Sequence, residues 1–249
     1  MVPIPTSRDA LFLDLDGTLA EIADTPGDVR VAKRVPELLA RWTDKLDGAL
    51  AVVSGRPMAQ LLELLAPFEG AMAGIHGLER RFANGKTITA APLPEMLYAR
   101  RALQTFADSL SGVALEDKGS ALALHYRASP EHGRACRDLA HEFGQGRLVV
   151  VPGKMVVELQ PKGYDKGVAL EAFMNEAPFA NRRPFFVGDD RPDEAAFDYV
   201  NRVGGISVLA GPSVASTVAQ YRLENVSAVL AWLEEGLSAP AEAEAIGGH

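Results

Sequence analysis

Leu11-Phe12-Leu13-Asp14-Leu15-Asp16-Gly17-Thr18-Leu19 is the stretch that organises the chain. Its apolar run reads as a buried parallel strand, expected over residues 10–16. The two aspartates fall at the carboxyl end, and Gly17 lets the backbone turn sharply beneath them. Carboxylates in such a place are expensive to bury unpaired. The carboxyl end of a strand is also where an open α/β sheet holds its ligands. A cation between Asp14, Asp16 and an anionic substrate would remove the cost. A lone Asp-Gly reads as an ordinary turn; Asp-Leu-Asp-Gly-Thr after Leu-Phe-Leu points to chemistry.

The 249 residues allow one large domain or two of ordinary size. At 47% hydrophobic and 23% charged, the chain can bury a core. A net charge of -8 argues against nucleic acid or an anionic membrane as partner. Any phosphate site must then be made positive locally. The single cysteine, Cys136, excludes an intrachain disulfide and an all-cysteine metal site. No run approaches the ~18 apolar residues of a membrane span. Residues 1–9 lack the layout of a signal peptide, so a cytoplasmic location is expected.

Outward from the first strand, a loop rich in Asp, Pro and Gly fills residues 17–34. Val35, Leu38, Leu39, Trp42 and Leu46 have helical spacing; Ala49 to Val53 reads as a second buried strand. Pro57 suits the first turn of the next helix, through about Leu65, and residues 71–74 read as a third strand. This alternation with short joins predicts a parallel, doubly wound sheet. Asn84-Gly85 marks a hairpin. Near residue 90 the pattern changes. An amphipathic helix is expected with Leu93, Met96, Leu97, Leu103, Phe106 and Leu110 on one side. Strands at 113–116 and 121–126, a helix from Ser129-Pro130 to about Phe143, and strands at 147–151 and 155–160 follow. A Pro152-Gly153-Lys154 turn joins the last two. Hairpin joins describe a small antiparallel sheet with helices on one face. Residues 92–161 therefore read as a domain inserted between residues 1–91 and 162–249 of the parallel one. The parallel pattern resumes with a helix at 165–174, a strand at 184–187, a helix at 192–200 and a strand at 206–209. Residues 213 to about 235 read as mostly helical, and the acidic tail 238–249 as frayed.

Four sites fall at strand ends or helix starts of the parallel part: Asp14 with Asp16, Ser54-Gly55-Arg56, Lys166, and Gly188-Asp189-Asp190 running into Arg191-Pro192-Asp193-Glu194. Phosphoryl transfer needs a nucleophile, an acid/base, anchors for phosphate oxygens and a magnesium ion to neutralise charge. Asp14 is the candidate nucleophile, forming an aspartyl-phosphate. Asp16 is the candidate general acid for the leaving group, then base for the attacking water. Ser54 and the neighbouring backbone N–H groups suit phosphate oxygens, with Lys166 adding charge at a helix start. Asp189 and Asp190 are candidate Mg2+ ligands together with Asp14 and Asp16. Taken singly, Ser-Gly-Arg and Gly-Asp-Asp read as turns, Lys166 as an exposed helix lysine, and Asp193 and Glu194 as an acidic first turn. The specific signal is the ordered set, each member at the correct end of its element.

That set resembles the four signatures of the haloacid dehalogenase (HAD) superfamily. Only 37 residues lie between Asp16 and Ser54, too few for an inserted domain. The insertion before Lys166 matches the superfamily's second cap class. The resemblance implies a HAD-like Rossmannoid α/β core with an inserted α+β C2-type cap. Finer motifs resemble the trehalose-6-phosphate phosphatase family: Ser54-Gly-Arg-Pro57, Gly74-Ile-His-Gly-Leu-Glu79, Leu115-Glu-Asp-Lys-Gly119, Ala123-Leu-His-Tyr-Arg127, Gly153-Lys-Met-Val-Val-Glu-Leu159 and Gly188-Asp-Asp-Arg-Pro-Asp-Glu194. Pro192 stands where that family often has threonine. The resemblance implies Mg2+-dependent hydrolysis of trehalose 6-phosphate in trehalose biosynthesis. It implies that Glu116, Lys118 and Glu158 bond the distal glucose, that His76, Gly77 and Glu79 face the sugar from the core, and that Gly55 and Arg56 lie near the phosphorylated glucose. As bare residues, Glu116, Lys118 and Glu158 fit equally a solvated strand face, His76 a capping residue and His125 a structural one. A phosphatase for sucrose or mannosylglycerate phosphate would keep the core signatures. A silent sugar-phosphate-binding module should have lost Asp14 or Asp16. The chain length leaves no room for a fused synthase, so a separate trehalose-6-phosphate synthase is the expected pathway partner.

Overall fold

The computed structural model describes residues 1–23, 26–153, 155–212 and 216–238. Two sheets carry them. The first begins with β1 (Asp9–Leu13), α1 (Arg34–Lys45), β2 (Leu50–Val53), α2 (Met58–Leu64), β3 (Ala71–Gly74) and a hairpin of β4 (Glu79–Arg81) and β5 (Thr87–Thr89). The second contains α3 (Pro94–Asp108), β6 (Ala114–Asp117), β7 (Leu122–His125), α4 (Gly133–Phe143), β8 (Leu148–Gly153) and β9 (Val156–Pro161). The chain returns to the first through α5 (Lys166–Met174), β10 (Arg183–Gly188), α6 (Glu194–Arg202), β11 (Ile206–Ala210), β12 (Tyr221–Leu223) and α7 (Val226–Ser238).

The first sheet runs β12-β11-β10-β1-β2-β3-β4-β5. It is parallel from β12 to β3 and antiparallel beyond. All five residues of β1 are buried. Successive strand side chains point to opposite faces. Phe12 packs on Phe173 and Phe179, and its register partner Phe186 meets Phe197 of α6. Phe185, facing the other way, meets Trp232 of α7. On that face Trp42 of α1 donates its indole N–H to the Leu233 carbonyl at 3.0 Å. Both faces are covered, which is why β1 shows no polar alternation.

The second sheet, β6-β7-β9-β8, is antiparallel throughout. Met96 and Leu103 of α3 and Cys136 of α4 pack with Leu122, Leu124, Val157 and Leu159 on one face. Strand alternation sends Glu116, His125 and Glu158 to the other face, over the carboxyl ends of β1 and β2. The chain crosses between the sheets beside Ala90 and Tyr164, which pack with Ile75, Leu78 and Ala121. No helix among the described residues is long and apolar enough to cross a membrane.

The structure corrects several local expectations. The first strand ends at Leu13. Asp14 N–H still donates to the Val187 carbonyl at 2.9 Å, but the Leu15 carbonyl accepts from Thr18, Leu19 and Ala20. Asp14 and Asp16 therefore sit on a turn leaving the strand. In α3 the buried stripe is Met96, Ala99, Leu103 and Ala107, while Leu97 is 62% exposed. Leu97 lies one residue off that stripe, so helical pitch turns it outward. Pro152 and Gly153 pair with Val157 and Val156 inside the β8–β9 ladder, so the strand runs past the expected turn. Lys154 lies outside the described residues, as do 24–25, 213–215 and the tail from 239. The stretch expected to be mostly helical contains β12, paired with β11, and its helix begins only at Val226. A three-residue edge strand is too short to carry a periodic signal.

Candidate active site

The carboxyl ends of β1, β2 and β10 lie side by side because these strands are neighbours in register. Asp14 leaves β1, Ser54 follows β2, and Asp189 follows β10. Lys166 opens α5, whose first turn is capped by the Asp165 carboxylate accepting from Val168 N–H at 2.8 Å. The Lys166 ammonium is buried and donates to Asp14 Oδ1 at 2.7 Å and Asp193 Oδ1 at 2.6 Å. Asp193 Oδ2 accepts from the backbone N–H groups of Asp189 and Asp190, at 2.9 and 3.0 Å. Gly17, at φ 80°, is needed twice over. A Cβ there would be strained and would collide with the Asp189 carboxylate.

Burial pushes the Asp14 carboxyl up to about 7; Lys166 opposes the rise, while Asp193 and Asp16 add to it. Burial also raises Asp189 to about 9, helped by Asp14 and Asp193. For Lys166 burial favours the neutral amine, yet Asp14 and Asp193 outweigh it and the ammonium is held above its ordinary range. Asp16 is engaged differently: Arg56 Nε and Nη2 reach its two oxygens at 2.6 and 2.8 Å, a bidentate pair.

On the opposite wall, Lys118 Nζ donates to Glu158 Oε1 at 2.5 Å and to the Gly55 carbonyl at 2.9 Å. His76 Nε2 lies 3.1 Å from Glu158 Oε2. Burial would raise the Glu158 carboxyl, but Lys118 and His76 overcome it and hold it well below the carboxylate range. Glu116 Oε2 lies 2.9 Å from His125 Nε2. Burial opposes ionisation there too; His125 and Lys118 prevail, and Glu116 is lowered. Ile75, His76 and Gly77 all have positive φ (45°, 54° and 100°). For the first two this costs about 1–2 kcal/mol each, a strain of the kind found at functional sites.

Asp14, Asp16, Ser54, Gly55, Arg56, His76, Glu116, Lys118, Glu158, Lys166, Asp189 and Asp190 all line one cleft of about 820 Å3 between the sheets. Gly77 and Glu79 do not. Glu79 Oε2 instead accepts from Met58 N–H at 2.5 Å, capping α2, which orders the segment after Arg56. Among the polar lining residues, Asp193, His125, Arg127 and Gln60 had no site role assigned from the sequence. Asp193 had a legible signal. It stands three residues after Asp190, with Pro192 between, the spacing of a capping box, and the structure contains that box.

Asp14, Asp189 and Asp193 each offer a carboxylate oxygen, all within 4.8 Å of one another. Asp16 and Asp190 have other engagements, with Arg56 and with the Arg191 N–H at 2.8 Å. Hard oxygen donors around a site where two carboxyls are pushed toward neutrality fit a divalent cation such as Mg2+.

Comparison with known proteins places this chain in a family. The Trehalose-phosphatase family pattern matches residues 12–227. The chain is 44% identical over 236 residues to "Trehalose-6-phosphate phosphatase" of Escherichia coli (strain K12), covering 93% of this chain and 88% of that protein. It is 40% identical over 224 residues to "Probable trehalose-phosphate phosphatase" of Sinorhizobium fredii, covering 88% and 84%. Among solved structures, the C-terminal domain of a Candida albicans trehalose-6-phosphate phosphatase superposes with a TM-score of 0.84 at 21% identity, covering 94% and 93%. A haloacid dehalogenase-like hydrolase from Bacteroides thetaiotaomicron gives 0.67 at 15%, covering 90% and 98%. The shared fold is a HAD-like Rossmannoid core with a C2-type cap. With the family pattern matching residues 12–227 and relatives 40–44% identical over most of both chains, this chain belongs to the trehalose-phosphatase family.

Proposed function

We propose that this chain is a Mg2+-dependent phosphatase that hydrolyses trehalose 6-phosphate to trehalose and phosphate. The observation that carries the reading is one cleft with two chemistries. Asp14, Lys166 and Asp193 lie at the end of β1, and Glu158, Lys118 and His76 face them from the cap side. Residues 92–161 act as the cap and residues 1–91 with 162–249 as the catalytic core, a division supported by the separate apolar clusters of the two sheets.

The Asp14 carboxylate attacks phosphorus, the bond to the sugar oxygen breaks, and an aspartyl-phosphate forms. Asp16 gives its proton to the leaving sugar oxygen. It then takes a proton from the water that attacks the same phosphorus, releasing phosphate and restoring Asp14. Asp16 is paired with Arg56 in this structure. An incoming phosphate competes for the guanidinium and frees Asp16 toward the leaving oxygen. Ser54 anchors a phosphate oxygen, and Lys166 keeps Asp14 oriented. Asp14, Asp189 and Asp193 would hold Mg2+, with Asp190 beside them; the ion supplies positive charge for the phosphoryl oxygens. Ionised Glu116 and Glu158, with Lys118, give acceptors and a donor for sugar hydroxyls. A site built this way rejects esters lacking the matching groups. A cytoplasmic setting and an upstream trehalose-6-phosphate synthase go with this reading.

The test is phosphate release from trehalose 6-phosphate, glucose 6-phosphate and sucrose 6-phosphate, with Mg2+ and with EDTA. A Mg2+-dependent preference for the trehalose ester is expected. Preference for another sugar would overturn the substrate, and release unaffected by EDTA would overturn the metal.

A further inference from the structure

We infer that Lys118 is a positioning residue for the phosphate-binding loop: it orients the backbone of residues 54–56 from the cap side, beyond any contact with sugar. The inference rests on the reading of Ser54–Arg56 as the phosphate anchor. Three consecutive carbonyls of that loop are each taken by a donor. Ser54 C=O accepts from His76 N–H at 3.0 Å, and Arg56 C=O from Ile75 N–H at 2.9 Å. Both donors belong to the left-handed turn after β3. The middle carbonyl, of Gly55, accepts from Lys118 Nζ at 2.9 Å.

A trans peptide is planar, so each C=O points opposite to the N–H that follows it. Fixing a carbonyl therefore aims an N–H. Drawing Gly55 C=O toward Lys118 sends the Arg56 N–H the other way, where it donates to Ser54 Oγ at 3.2 Å. A hydroxyl that accepts this bond still has its own hydrogen to give to a phosphate oxygen. Two of the three carbonyl clamps come from the first sheet. The third comes from the β6–β7 turn of the second.

Lys118 is held in place for this task. Glu158 bonds its ammonium and also reaches His76. The His76 ring lies against Gly55 itself: a Cβ there would stand 2.7 Å from His76 Cε1. The contacts thus close a ring from Gly55 carbonyl to Lys118, Glu158, His76 and back to Gly55. The middle peptide of the loop is oriented only while the cap is seated, so the anion site is completed by a residue of the other sheet.

A residue that only read sugar would not affect a phosphate ester without one. The experiment uses the full chain with Mg2+, p-nitrophenyl phosphate as substrate and inorganic phosphate as competing ligand. Lys118→Met is expected to raise the phosphate inhibition constant about tenfold and to lower kcat/KM for p-nitrophenyl phosphate by a similar factor, the scale of one charge-assisted hydrogen bond. Lys118→Arg, which keeps a cationic donor, should recover most of both. Glu158→Gln loosens Lys118 without removing it and should give an intermediate loss of phosphate inhibition, a readout that stands even should Lys118→Met fail to fold. Wild-type phosphate inhibition in folded Lys118→Met, or in Glu158→Gln, overturns the inference. If the wild-type protein prefers a sugar ester other than the trehalose one, the proposed substrate fails while these constants still decide the role of Lys118.

Discussion

Both walls of the cleft set buried carboxylates against hydrogen-bond donors, with opposite results. At the end of β1, Asp14 and Asp193 share one ammonium, Lys166, with the Asp189 carboxylate beside them, and Asp14 and Asp189 are pushed up to about 7 and about 9. Across the cleft, Glu158 has both Lys118 and His76, and Glu116 has His125; both carboxyls are lowered. Burial opposes ionisation on both walls, so the hydrogen-bond donors and charges facing each carboxylate decide the outcome. The first wall is short of positive charge and suits a divalent ion. The second surrounds its carboxylates with donors and keeps these acceptors ionised for neutral hydroxyls.

The largest effect that would break this comparison is at the nucleophile. Asp14→Asn should lower phosphate release by more than ~10^4-fold, as loss of a covalent catalyst does, with circular dichroism unchanged. Ordinary turnover in that variant removes Asp14 from the chemistry. Next comes Lys166→Met, which leaves the aspartates without their cation. Breaking a buried pair from one side costs about 3–5 kcal/mol, read as a lower urea midpoint in EDTA. Mg2+ should restore more stability to this variant than to wild type; an equal response would mean that Lys166 and the ion do not share the same charge deficit.

A smaller effect distinguishes the walls by pH. Asp14 and Asp189 keep protons in the folded protein that an unfolded chain releases near 3.8. The native state therefore binds more protons, and stability in EDTA should fall as pH rises from about 4 toward 7 and 9. Glu158 runs the other way: its contribution is present above its ordinary 4.5 and fades as pH falls below it. Urea denaturation at a series of pH values should show the first slope in EDTA and lose it with Mg2+; an identical slope in both would sink the carboxylate excess. The smallest effect concerns His125. A double-mutant cycle of His125→Gln and Glu116→Gln on KM for trehalose 6-phosphate should give a coupling of about 1 kcal/mol. Additive effects would leave His125 as a bystander in the cleft.

The aspartates at 14 and 16, Ser54, Lys166 and Asp189 were legible because each is a short local string at the end of a strongly apolar strand or the start of a helix. The parallel order was legible for the same reason. What escaped depended on partners distant in sequence. Asp193 read as an acidic helix turn, since nothing nearby announces that Lys166 will reach it. Glu79 read as sugar-facing, but Met58, 21 residues earlier, claims its carboxylate. Leu97 was misplaced by one helical position, and β12 exists only because β11 offers it an edge.

The pairing of β1 with β10 also bears on the order in which the molecule can be completed during synthesis. β1 is made first, yet its neighbour begins at Arg183. Every strand of the smaller sheet lies between Ala114 and Pro161. A nascent chain emerging from the ribosome therefore has the whole antiparallel sheet available before the central strand can gain its second partner. Until then Phe12 lacks Phe179 and Phe186, and the apolar run that anchors the catalytic aspartates stands half covered.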